Sequence, residues 1–228
     1  MSDRGGGKAG AICAIVGSLL LLTGTMLHPM DADPNDAPAA FAEYAADHGW
    51  VASHLTQLAG VTLIVAALLV IAQQIDAGRP RVWARVAAGG AIASLAVAAA
   101  LQAVDGIALK SMVNAWAAAP PRQKDAAFHA AFGVRQIEVG LASVAGLVFG
   151  LTVSLFGIVL LDDRTYPRWV SVLALAGGVP MTIAGIFIAY TGFSATAMDI
   201  NLTASTILLV WMVTMGVLMW RRRAPADG

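Results

Sequence analysis

The sequence predicts an all-α, polytopic membrane protein: a six-transmembrane-helix bundle with both termini in the cytoplasm. The first observation is six apolar stretches, at about 10–28, 51–75, 82–109, 136–161, 169–191 and 200–220. Each holds about 20 or more residues, enough to cross a hydrocarbon core of roughly 30 Å at 1.5 Å per residue. The second is a segregation of basic residues. Arg4, Lys8, Arg79, Arg81, Arg85, Arg164, Arg168, Arg221, Arg222 and Arg223, ten of the 14 Lys and Arg, fall on alternate connections and both ends, which positive-inside logic places in the cytoplasm. The third is aromatic residues at the span ends, with Trp83, Trp169 and Trp220 on the inner side and Tyr44, Trp50, Trp116 and Tyr190 on the outer.

Composition agrees. The chain has 228 residues, 58% hydrophobic and 12% charged, as expected of a bundle with little mass outside the bilayer, and residues 1–228 read as one domain. The zero formal charge, with no basic patch, argues against a nucleic-acid partner. Cys13 is the single cysteine, which excludes an internal disulfide or a cysteine metal cage.

The first span follows Arg4 and Lys8 as a secretory signal would, but Ala37-Pro38-Ala39 lies about ten residues beyond its end, so it reads as a retained helix. The segment Pro29–Gly49 is acidic and rich in turn formers, and its half from Ala39 to Asp47 is helix-compatible. Span three, dominated by Ala with Gly89 and Gly90, is expected to be the most enclosed helix. Lys110–Gln123 reads as an outer loop broken by Pro120-Pro121. From Arg122 a helical pattern runs to Leu161, so its first turns should project beyond the membrane. Ala142, Gly146 and Gly150 make a small-residue ridge on span four, and Pro180 should bend span five.

Depth ranks the ionisable residues. His54, Asp105, Glu138 and Asp199 lie 21 to 23 residues from the inner ends of their spans, or about 31–35 Å at 1.5 Å per residue. That is the outer interface, where all four histidines also fall. Ion transport usually needs such groups near mid-membrane, so it is demoted. Instead, a polar pocket opening to the outer side is expected. His54 and Gln57 are one turn apart on span two, as are Gln102 and Asp105 on span three and Arg135 and Glu138 on span four. With Gln136 and Asn201 these are the candidate ligand-binding groups. His129, Gln136 and Ser143 repeat every seven residues.

Imidazole and carboxylate suit zinc or iron, so His54, Asp105, His129 and Glu138 are candidate metal ligands, and His54 with His129 is a conceivable axial pair for haem. Simpler roles exist for several residues: a local ion pair for Arg135 and Glu138, a cap or first-turn acid for Asp199, and a surface helix terminator for His28-Pro29. No specific catalytic motif is present, which favours a non-enzyme.

The layout of His28-Pro29, Phe41-Ala42-Glu43-Tyr44, Trp50-Val51-Ala52-Ser53-His54-Leu55, Ala103-Val104-Asp105-Gly106 and Tyr166-Pro167-Arg168-Trp169 resembles uncharacterised bacterial six-helix membrane proteins grouped as a domain of unknown function. The resemblance covers nearly the whole chain. It implies the fold and a bacterial plasma membrane, and no activity. The expectation is therefore binding of a small molecule or ion from the extracytoplasmic side. Alternatives are a carrier for a neutral or lipophilic compound, a metal- or haem-dependent enzyme, and an accessory subunit or homo-oligomer packed through small-residue faces.

Overall fold

The computed structural model describes residues 3–75 and 78–222, with side chains from Gly6 onward; the side chains of Arg4 and Arg223 in the basic count lie outside this set. Six long apolar helical stretches run Gly6–Met26, Trp50–Gln73, Gly78–Ala118, Pro121–Asp163, Arg168–Thr191 and Ala195–Arg221. In chain order the helices are α1 (Asp3–Met26), α2 (Ala37–Ala46), α3 (Trp50–Gln73), α4 (Gly78–Gln102), α5 (Lys110–Ala118), α6 (Lys124–Asp163), α7 (Arg168–Thr191) and α8 (Ala195–Arg221). A π-helical segment, Ala103–Leu109, joins α4 to α5 without a break, and a 3-10 turn, Pro121–Gln123, opens α6.

Each long helix packs against its successor, and α8 returns to α1, so the order α1, α3, α4, α6, α7, α8 closes into a ring. Short connections enforce the α3–α4, α6–α7 and α7–α8 contacts, because a helix joined to the next by a few residues must lie antiparallel beside it. Leu68, Ile71, Phe156, Leu160, Trp211 and Met215 fill the interior. The outer surface is apolar as well. Leu19, Ile92, Leu151, Ile158, Val172 and Val210 are each more than half exposed, the pattern of a bundle whose solvent is lipid.

Glycine sets the closest approaches. A Cβ on Gly60 of α3 would stand 2.5 Å from the Leu21 amide nitrogen of α1, and one on Gly150 of α6 would stand 2.5 Å from that of Thr182 in α7. The ridge expected on span four is therefore a contact surface at Gly146 and Gly150, seated on Gly178 and Gly185. Helix α7 continues through Pro180, which cannot donate a backbone bond.

Several expectations need correction. The α4 stretch is the least enclosed of the six, with 17% of its most apolar window buried against 33–39% for the others. Its alanines permit close approach on every face, but neighbours take up only the face carrying Ala84, Ala87, Ala91 and Ser94. The supposed loop from Lys110 is helical to Ala118, because α5 packs on α2 and α6 and thereby buries Val113. Asp199 neither caps nor opens α8; Ser194 is the cap, accepting from the Ala197 amide at 3.4 Å, and Asp199 is exposed a turn further on. Tyr44 and Trp50 are buried rather than set at the lipid boundary.

Those two aromatics belong to a second, smaller core of Ala40, Phe41, Tyr44, Trp50, Leu109, Val113 and Ala131 at one end of the bundle. Here α2 forms a roof. Asp36 caps it by accepting from the Ala39 amide at 3.3 Å, and the Lys110 ammonium donates to the carbonyls of Tyr44, Ala45 and Asp47 at its other end. At the opposite end, where α1 begins and α8 stops, Lys8 sits over the Trp220 ring and the Tyr166 hydroxyl donates to Gln74 Oε1.

Candidate functional site

Beneath α2 the helices bring together most of the polar side chains singled out by depth. His54, in the second turn of α3, is 2% exposed. Its Nδ1 lies 2.7 Å from the Trp50 carbonyl, the residue one turn back on the same helix, and 3.2 Å from Ser53 Oγ. A carbonyl only accepts, so Nδ1 carries the hydrogen and the lone pair of the neutral ring falls on Nε2. That nitrogen lies 3.0 Å from Asp105 Oδ2.

Asp105 reaches this position from the π-helical segment, where one extra residue per turn re-aims the side chains that follow. The Trp50 indole donates to the Asp105 carbonyl at 3.0 Å, which ties α3 to this segment. The other carboxylate oxygen, Oδ1, is buried without a hydrogen-bond partner. One turn deeper, the Gln102 amide donates to Gln57 Oε1 at 3.1 Å, so the same two helices meet twice.

His28 is the residue that sequence reasoning missed. It follows α1 as expected of a helix terminator, but the chain folds inward and places its ring 5.0 Å from that of His54 and 4.6 Å from that of Trp50. His28 Nδ1 donates to the Pro29 carbonyl at 2.7 Å, again leaving Nε2 with the lone pair. Burial lowers the His28 pKa below its ordinary 6.5; the Asp105 charge opposes this, and His54 and Arg135 reinforce it. The clue in the sequence was that all four histidines share one side, which does not distinguish a ring turned inward from one turned out. One ligand atom each from His28, His54 and Asp105 lies within 4.8 Å of the others.

A second charged pair adjoins this group. Arg135 donates to Glu138 Oε2 at 2.5 Å, both side chains being buried, and to the Pro34 carbonyl at 3.2 Å. Its guanidinium stacks 4.8 Å from the Phe193 ring and 5.6 Å from that of Tyr44. The Tyr44 hydroxyl joins the two groups electrically. Burial pushes its pKa up to about 12, Arg135 pulls it down, and Glu138, Asp105 and Glu43 push it further up. An open groove of about 370 Å³ beside Arg135 is lined by Pro34, Phe132, Gln136, Tyr190 and Phe193, among others.

The remaining candidates lie elsewhere. Gln136 is exposed on the rim of that groove, and His129 is exposed on α6 with its ring against Phe128. The stripe they share with Ser143 does not line one site. Ser143 donates to the Gly185 carbonyl of α7, but α7 stops at Thr191 and leaves the rest of the stripe without a facing helix. With His129 exposed, His54 and His129 do not share a cavity for an axial pair. Asn201 is half-buried on α8 and has no hydrogen-bond partner among the described residues.

No curated protein and no solved structure matches the chain. One family model does, over residues 9–216, which takes in most of α1 and α8, all the long helices between them and the whole roofed polar group. The chain therefore belongs to the DUF4386 family, a domain of unknown function, as a membrane-spanning, all-helical member.

Proposed function

We propose that this protein binds a small polar solute or ion in the polar group beneath α2, reached from the extracytoplasmic side of a bacterial plasma membrane. The observation that carries this reading is the His54–Asp105 pair. An imidazole and a carboxylate held 3.0 Å apart at 2% and 15% side-chain exposure are costly to keep in an apolar bundle. The Arg135–Glu138 pair and the Gln57–Gln102 bond concentrate further polar groups at the same end. Sidedness rests on the basic residues, which gather at the end opposite α2. Binding rather than ion conduction is favoured because, among the described residues, the buried charged groups all sit at the α2 end.

Native mass spectrometry of the protein released from mild detergent tests binding. A small-molecule or ion adduct is expected on the unmodified protein and is expected to be lost from the His54→Ala/Asp105→Ala protein. Identical spectra for the two would overturn the reading. Sidedness is tested with His48→Cys in a Cys13→Ser background, since His48 is exposed beside the roof. A membrane-impermeant maleimide should label it on intact cells; labelling only after lysis would refute the orientation.

A further inference from the structure

We infer that His28, His54 and Asp105 form a site for one divalent transition-metal ion of the zinc or iron(II) type. The ion would be held by Nε2 of each imidazole and by the Asp105 carboxylate, with its remaining positions open to water or solute. This assignment rests on the binding reading above and gives it a chemical class.

Three independent features point to a cation. The first is hydrogen placement. With the hydrogen of the neutral His54 ring committed to the Trp50 carbonyl, a lone pair on Nε2 faces a carboxylate oxygen at 3.0 Å. Two acceptors do not hold that distance without a positive charge between them, either a proton or a metal ion. The second is the support of the rings. Both histidines fix Nδ1 on a backbone carbonyl at 2.7 Å, the outer contact that orients metal-bound imidazoles and sets their tautomer. The third is Asp105 Oδ1, a buried carboxylate oxygen with no partner, which a second ligand bond or a bound water would satisfy.

Geometry permits the ion. Ligands about 2.0–2.1 Å from a tetrahedral centre stand about 3.3 Å apart. The His54–Asp105 separation is already 3.0 Å, and a ring nitrogen of His28 comes within 4.8 Å of a ligand atom on each of the other two, so side-chain rotation of His28 closes the set. The His28 side has that freedom, since it follows α1 in an irregular segment, whereas His54 and Asp105 are fixed by helix. Two imidazoles and one carboxylate suit zinc and iron(II) better than calcium or magnesium, which take oxygen ligands. Trp50, packed 4.6 Å from the His28 ring and 4.7 Å from the His54 ring, shields the apolar side.

The alternative to a metal is a proton, giving a His54 imidazolium paired with Asp105, and experiment separates the two. Protein purified in detergent and stripped with chelator is titrated with Co2+, followed by visible absorption, and then with Zn2+ in competition. One ion per chain is expected. His28→Ala and Asp105→Asn should each weaken binding at least about a hundredfold, beyond the 10- to 100-fold typical of losing an outer-shell partner. Exposed His129→Ala should leave binding unchanged. Far-ultraviolet circular dichroism of the metal-free proteins establishes that each variant is folded. His28→Ala lies outside the helices, so it tests ligation even where the Asp105 variant is destabilised.

No uptake by the unmodified protein, or unchanged affinity in folded His28→Ala, would overturn the metal assignment. If uptake is absent yet the adduct seen by native mass spectrometry is still lost from His54→Ala/Asp105→Ala, the metal falls and the binding reading stands. If uptake and adduct are both absent, both fall.

Discussion

Gly106 lies directly against His54: a Cβ at position 106 would stand 2.6 Å from the His54 Cβ and 2.9 Å from its Cγ. The residue after Asp105 must therefore lack a side chain for the imidazole to sit where it does. Gly106→Ala is expected to destabilise the protein by about 1–3 kcal/mol through overpacking and to displace His54 from Asp105. Gly89→Ala is the matched control, because nothing lies within 4 Å of its added methyl. It should be neutral, or stabilising by up to about 1 kcal/mol from helix propensity. Thermal unfolding in detergent checks both, and equal losses would refute the steric account.

The roof depends on one ammonium group. Lys110 donates to the carbonyls of Tyr44, Ala45 and Asp47 at 2.6, 3.0 and 2.8 Å, the orphan acceptors at the end of α2. Lys110→Met keeps the stem and removes the donors, each such bond to a charged group being worth about 1.5–3 kcal/mol. Amide hydrogen exchange across Ala37–Ala46 should accelerate by about tenfold or more while α7 and α8 are unaffected. Unchanged protection of α2 would show that its apolar contacts alone hold it.

Arg135 and Glu138 form a buried pair, so removing one charge strands the other. Glu138→Gln is expected to cost about 3–5 kcal/mol. The double change Arg135→Met/Glu138→Leu, which leaves no buried charge, should cost less than the single one. A double mutant less stable than Glu138→Gln would contradict this.

His28 gives stability a defined pH dependence. Its pKa is lowered in the folded protein by burial, with His54 and Arg135 adding to the effect and Asp105 opposing it. Below the ordinary value of 6.5 the unfolded chain binds a proton that the folded chain resists. The His28 contribution is therefore complete above that pH and is lost as pH falls below it and through the lower folded value. Melting temperatures measured between about pH 7.5 and about pH 5.5 should drop more for the unmodified protein than for His28→Asn. Equal slopes would exclude His28 as a source.

Much of this was legible in the sequence, because length and hydropathy fix the spans and rise per residue fixes depth. Counting residues from the inner ends put His54 and Asp105 at one level, and turn spacing put Gln57 and Gln102 one level deeper, as the two cross-helix bonds bear out. Rotation about the helix axis is harder to read. Nothing in an alanine-rich span says which face finds a neighbour, and α4 leaves most of its surface open. His28 was hidden for a related reason, since its inward turn follows from the path of an irregular segment rather than from any period. The π-helical segment that aims Asp105 carries no proline or glycine pair to announce it; Gly106 stands alone.

Beneath the Gln57–Gln102 bond the bundle has an uncharged floor among the described residues. Ser18, Ser94 and Thr152 already spend their hydroxyls on carbonyls of their own helices, and the buried atoms without partners there, Ser154 Oγ, Ser171 Oγ and Trp211 Nε1, are neutral. An ion descending from the roofed polar group would shed its water and meet no charged group in its place. If the roofed group binds a solute as proposed, this uncharged floor makes the site a cup rather than a conduit, filled and emptied by one mouth.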